Sequence, residues 1–197
     1  MNSGPGHWQS LWELQHGYVR VQQHDWERPL RGDWMTRLEE AVLSLPPDQP
    51  VLLAAHSLGC TLVAAWATFS RQTHRVAGAL LVAPPDVAQA DFPAALHSWR
   101  KPELTRLPFV ATCVVSDNDA VCGLVAGQNL ARQWGADCVV LRGAGHINTE
   151  SGLGGWDDGH KLLLDLKQRP DQKQLPNDIS GISRAVHPTS GATNHLT

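Results

Sequence analysis

The stretch from Val51 to Ala67, read VLLAAHSLGCTLVAAWA, constrains this chain more than any other. Val51–Ala55 follows Pro50 and is apolar with no polar alternation, the pattern of a strand buried on both faces of a parallel sheet. Thr61–Phe69 is rich in Ala, Leu and Trp and predicts a packed helix. Between the two, His56-Ser57-Leu58-Gly59 has to turn the chain sharply. A serine on such a turn holds its hydroxyl outward, with helix N-terminal amides beside it to stabilise negative charge. This is the pattern of a nucleophile elbow, Gly-x-Ser-x-Gly, with Ala55 in the place of the first glycine and Gly59 in the second. The pentapeptide by itself also fits an ordinary strand, turn and helix of an α/β protein, so its reading depends on residues further along the chain.

Around that stretch the chain alternates. Asn2–Gly6 has loop composition, and His7–Leu14 predicts a short amphipathic helix with Trp8, Leu11 and Trp12 on one face. Tyr18–Val21 reads as a weak strand. A helix capped by Asp33 runs through Leu45, with Met35, Leu38, Val42 and Leu45 at helical spacing. Beyond the elbow helix, Val76–Ala83 is a second buried strand. Asp86–Pro108 is polar, Pro-containing and weakly periodic, of a size to form a short cap over the strand ends. Phe109–Ser116 is a third strand, Leu124–Trp134 a helix, Cys138–Leu141 a fourth strand and Trp156–Leu166 a last helix with Leu162, Leu163 and Leu166 inward. Strands alternating with helices predict an α/β three-layer sandwich with a mostly parallel sheet and helices on both faces. One domain over 1–167 is expected, followed by a polar tail, 168–197, too poor in apolar residues to offset its ordering entropy and therefore disordered.

Composition narrows the function classes. A net charge of −3 over 197 residues gives no footprint for nucleic acid or an anionic membrane. No apolar run reaches membrane-spanning length, and the first residues lack the basic and apolar regions of a signal peptide, so a cytoplasmic protein is expected. Cys60, Cys113, Cys122 and Cys138 show no paired zinc spacing and read as buried thiols in a reducing compartment. No metal site is expected, because no pair of the ten histidines has ligand spacing on a helix with a third ligand. Trp8, Trp12 and Trp156 are candidates for a pocket wall, with core packing the ordinary role of such residues.

In an open parallel sheet the reacting groups gather at the carboxyl ends of the strands. Ser57, the Asp117/Asp119 pair and His146 each follow a predicted strand directly, in the chain order Ser, Asp, His. A serine hydroxyl is a poor nucleophile at neutral pH and needs an imidazole to take its proton, and His146, on a Gly-rich mobile loop, has the reach. The imidazole in turn needs a carboxylate on its other nitrogen. Asp119, deeper in its turn, is preferred over Asp117, which caps or holds the turn. His56 is set aside as the base because adjacent side chains on a sharp turn point apart.

With these residues in hand, the chain resembles the α/β-hydrolase superfamily, and within it the small serine hydrolases related to retinoblastoma-binding protein 9. The matching pieces are Asn2–Trp12, the Asp25-Trp26-Glu27-x-Pro29 segment, Ala55–Gly59, Ser116–Asp119 and Gly145–Gly152. The resemblance implies an acid at Asp119, usually followed by proline where this chain has Ala120, and an oxyanion hole built from the Leu58 amide and one from the loop before the first helix, for which Gly4, Gly6 and His7 are the candidates. Family members begin with an apolar strand ahead of that loop, so this chain is expected to lack one sheet strand. The expected function is a serine hydrolase cleaving small carboxylic esters or amides through an acyl-enzyme, a reaction that requires no cofactor. The alternative is a non-catalytic interaction module on a hydrolase scaffold whose oxyanion hole is incomplete. No protein partner is specified by the sequence.

Overall fold

A computed structural model describes residues 2–169. The expected tail therefore lies outside the described residues from residue 170 onward. Among the described residues five α-helices and four strands follow one another as α1 (Trp8–His16), α2 (Arg31–Leu43), β1 (Val51–His56), α3 (Leu58–Phe69), β2 (Val76–Val82), β3 (Ala111–Ser116), α4 (Leu124–Trp134), β4 (Asp137–Leu141) and α5 (Asp157–Asp165). The strands form one parallel sheet in the order β1-β2-β3-β4. Parallel neighbours need crossovers, and α3, the 83–110 segment and α4 supply them.

Alternation along the strands splits the apolar residues between two cores. Leu53, Ala55, Ala79 and Leu81 face a core shared with α2, α3, α4 and the 83–110 segment. Leu80, Val82 and Val114 face a smaller core shared with Trp8 and Trp12 of α1, Trp156, and Leu163 and Leu166 at the last helical turns of the described residues. The approach of Leu166 to β2 is close enough to require glycine there, because a Cβ on Gly78 would stand 2.7 Å from that of Leu166. No described helix is long and apolar enough to cross a membrane.

Several expectations are corrected. Tyr18–Val21 is not a strand: it pairs with none of the four strands of the described sheet, whose edges are β1 and β4. Its Arg20 instead bonds Glu13, Ser10 and the Ser3 carbonyl. The second helix begins at Arg31 with Leu30 at the cap, placing Asp33 in the first turn, where its charge favours the helix dipole. The elbow helix starts at Leu58, directly after Ser57. The 86–108 segment is less a polar cap than a part of the core, burying Val87, Phe92, Leu96, Trp99 and Leu107. Cys60, Cys113 and Cys122 are buried, whereas Cys138 is exposed because β4 is the other edge of the sheet. Burial pushes the Cys60 and Cys113 thiols well up, and Cys122 to about 12.

Candidate active site

Ser57 sits between β1 and α3 at φ 52° and ψ −123°, a backbone conformation that L-residues rarely adopt. Its amide donates to Val82 O at 2.9 Å, which ties the turn to the end of β2. Leu58 opens α3, so its N–H has no acceptor within the helix.

The three residues expected to act together are brought together. Ser57 Oγ lies 2.9 Å from His146 Nε2. On the other side of the ring, His146 Nδ1 lies 2.9 and 3.1 Å from the two carboxylate oxygens of Asp119. A proton on Nδ1 donated to the carboxylate leaves Nε2 free to accept from the serine hydroxyl. Asp119 is almost entirely withdrawn from solvent, its side chain 2% exposed against 19% for His146, and it also accepts from Val121 N at 2.8 Å.

The loop bearing His146, expected to be mobile from its glycines, is tied to the end of β3 by a series of hydrogen bonds. Four consecutive residues, the last of β3 and the three after it, hold four consecutive residues of the loop after β4. Asp117 Oδ1 accepts from Gly143 N at 2.7 Å, Ser116 Oγ from Ala144 N at 3.1 Å and Asn118 Oδ1 from Gly145 N at 2.7 Å, while Asp119 takes His146. Ser151 Oγ adds a bond to Ala144 O at 2.5 Å. Asp117 thus holds the neighbouring loop rather than its own turn. The sequence signal was present in the run Ser116-Asp117-Asn118-Asp119, whose short polar side chains are suited to accept amide bonds, but its partner was not readable from spacing.

Two further histidines flank the site. His56 Nε2 donates to His146 O at 2.8 Å, so His56 touches the main chain of the third residue rather than acting on the serine. Burial pushes its pKa down to about 3. His7 caps α1 by accepting from Gln9 N through Nδ1 at 3.2 Å, which leaves the proton on Nε2, a buried atom with no hydrogen-bond partner among the described residues. Burial first, then the charges of Arg20 and His146, lowers its pKa to about 4. The rings of His7 and His56 meet edge to face with centroids 4.7 Å apart. Of the amides weighed beside Leu58 for anion stabilisation, that of His7 donates to Gly4 O at 3.0 Å and is already engaged. Gly6 abuts the histidine loop, where an added Cβ would stand 3.1 Å from Thr149 Cγ2. Trp8, Trp12 and Trp156 are buried together, with Trp8 and Trp12 rings 4.6 Å apart, and serve as core. Among the described residues no group of three His, Cys, Asp or Glu side chains is placed to hold a metal ion.

Comparison with known proteins points in the same direction. A family model described as serine hydrolase matches residues 1–165. Among solved structures, a YdeN-like hydrolase of Pectobacterium atrosepticum is 27% identical, with 85% of each chain covered and a TM-score of 0.73. The ydeN gene product of B. subtilis is 18% identical over 85% of this chain and 94% of that one, with a TM-score of 0.60. A monoacylglycerol lipase of Paleococcus ferrophilus, 12% identical over 72% of this chain and 76% of that one, has a TM-score of 0.55 and shares the fold. No curated protein matches the chain.

Proposed function

The chain belongs to the serine hydrolase family, and from that premise we propose that it cleaves small carboxylic esters or amides through an acyl-enzyme on Ser57. The observation that carries this reading is the unbroken line of hydrogen bonds from Ser57 Oγ through the His146 ring to the Asp119 carboxylate. In the proposed reaction His146 Nε2 takes the hydroxyl proton as Oγ attacks the carbonyl carbon. Asp119 holds the ring and stabilises the imidazolium that forms. The proton then passes to the leaving alcohol or amine as the carbon–heteroatom bond breaks. A water molecule, deprotonated by the same nitrogen, attacks the acyl-serine and restores the hydroxyl with release of the acid.

The negative oxygen of each tetrahedral intermediate needs fixed donors. The amide of Leu58 is assigned as one, since it opens α3 and has no helical acceptor. Gly6 is assigned as the second, because the amide of His7 is engaged with Gly4 and Gly6, unlike Gly4, abuts the histidine loop. Hydrolysis of a short p-nitrophenyl ester, measured beside Ser57→Ala and His146→Ala, tests the reading. Loss of turnover in both variants is expected. Equal rates in all three, with each protein folded by circular dichroism, would overturn it and leave a binding role for the scaffold.

A further inference from the structure

The backbone next to His146 is strained. Ile147 is fully buried and has φ 49°, a region that a β-branched residue almost never occupies. Such a conformation persists only where surrounding contacts over-determine it. Two side-chain donors do so here, on successive carbonyls. His56 Nε2 donates to His146 O at 2.8 Å, and the buried indole Nε1 of Trp8 donates to Ile147 O at 2.9 Å. The His56 ring is walled in by its neighbours, with centroids 4.7 Å from His7, 6.1 Å from Trp8 and 4.9 Å from His146. His56 and Ser57 are consecutive, so adjacent residues of the elbow grip the main chain and the side chain of the same histidine.

We propose that His56 and Trp8 form a two-donor clamp that fixes the strained backbone at His146–Ile147 and thereby sets the distance between the imidazole and Ser57. Both are positioning residues: neither touches the reacting atoms, and each acts through a carbonyl of the histidine loop. The inference rests on the reading of Ser57, His146 and Asp119 as the reacting set. Without a donor, the buried carbonyl loses its partner and the loop relaxes toward an unstrained conformation, drawing Nε2 away from the hydroxyl. Displacements of about 1 Å at a reacting group cost on the order of 10²-fold in rate.

The test compares His56→Phe, which keeps a ring without the donor, with His56→Gln, whose amide nitrogen takes the place of Nε2. The expected result is a fall in kcat of ~10- to 100-fold for His56→Phe with KM within about twofold, and near wild-type kcat for His56→Gln. Trp8→Phe, which removes the other donor, is expected to show the same split. Retained kcat in His56→Phe, an equal fall in His56→Gln, or a change confined to KM would overturn the clamp. Two controls keep its failure apart from that of the hydrolase reading. Ser57→Ala, inactive if that reading holds, defines zero turnover. The downfield proton resonance of His146 Nδ1–H is recorded without substrate, and is expected to be kept in His56→Gln and shifted or lost in His56→Phe. The same resonance unmoved in a folded His56→Phe protein would overturn the clamp whatever the turnover.

Discussion

Acid should unfold this protein earlier than its carboxylates alone would dictate, because two histidines are buried in the neutral state. His7 and His56 have pKa values of about 4 and about 3, against an ordinary value of 6.5. The unfolded chain therefore binds protons at both positions over a range where the folded chain does not, and the folded state loses stability as pH falls. The contribution is fully present above about pH 6.5 and is lost progressively on acidification, down to about pH 4 for His7 and about pH 3 for His56. At about pH 5 each has been carried roughly 1.5 pH units below its unfolded value, worth ~2 kcal/mol apiece at ~1.36 kcal/mol per unit. Together that is ~4 kcal/mol, a large part of the 5–15 kcal/mol that typically holds a domain folded. Urea unfolding followed by tryptophan fluorescence at about pH 7.5, 6 and 5 measures the loss directly. In His56→Gln, which cannot titrate there, the drop between pH 7.5 and 5 should shrink by about half. A free energy of unfolding that stays level across this range, or an identical pH dependence in His56→Gln, would refute the buried-neutral account.

Three further outcomes follow from particular geometries. Ser57 carries φ 52° and ψ −123°, so Ser57→Gly should be more stable than Ser57→Ala by ~1 kcal/mol, or roughly 2–4 °C in thermal unfolding; an alanine variant at least as stable would deny the strain. Gly78→Ala would bring a Cβ to 2.7 Å from Leu166 and should destabilise by ~1–3 kcal/mol in denaturant titration. Asp119→Asn should lower kcat by about 10⁴-fold because the ring loses its carboxylate. Asp117→Asn, whose amide oxygen still accepts from Gly143 N, should stay within about tenfold, and esterase kinetics on the pair distinguish the two aspartates.

How much was legible in the sequence depended on how local the cause was. The β1–Ser57–α3 unit was legible because an apolar strand and an apolar helix leave their mark in contiguous residues, although β1 alternates between buried and half-buried positions and is not buried on both faces. Asp119 and His146 were legible because each lies in the loop after a strand, and the fold gathers strand ends. Tyr18–Val21 misled because a strand exists only with a neighbour, and Arg20 bonds α1 and the loop before it instead of the sheet. The 86–108 segment misled because its buried residues, such as Phe92 and Trp99, are spaced irregularly along loop and 3₁₀ turns and so leave no period. Least legible was the support of the histidine loop. The partners of Asn118, His56 and Trp8 lie far away in sequence and become neighbours only once the sheet has formed.

The measurement that bears most directly on the proposed chemistry is the fate of Ser57 during turnover. Quenching the reaction with p-nitrophenyl acetate in acid, then analysing the peptides by mass spectrometry, should find one acetyl group on the peptide containing Ser57 and none in Ser57→Ala. An unmodified Ser57 during steady turnover, or turnover that persists in Ser57→Ala, would contradict the acyl-enzyme at its centre.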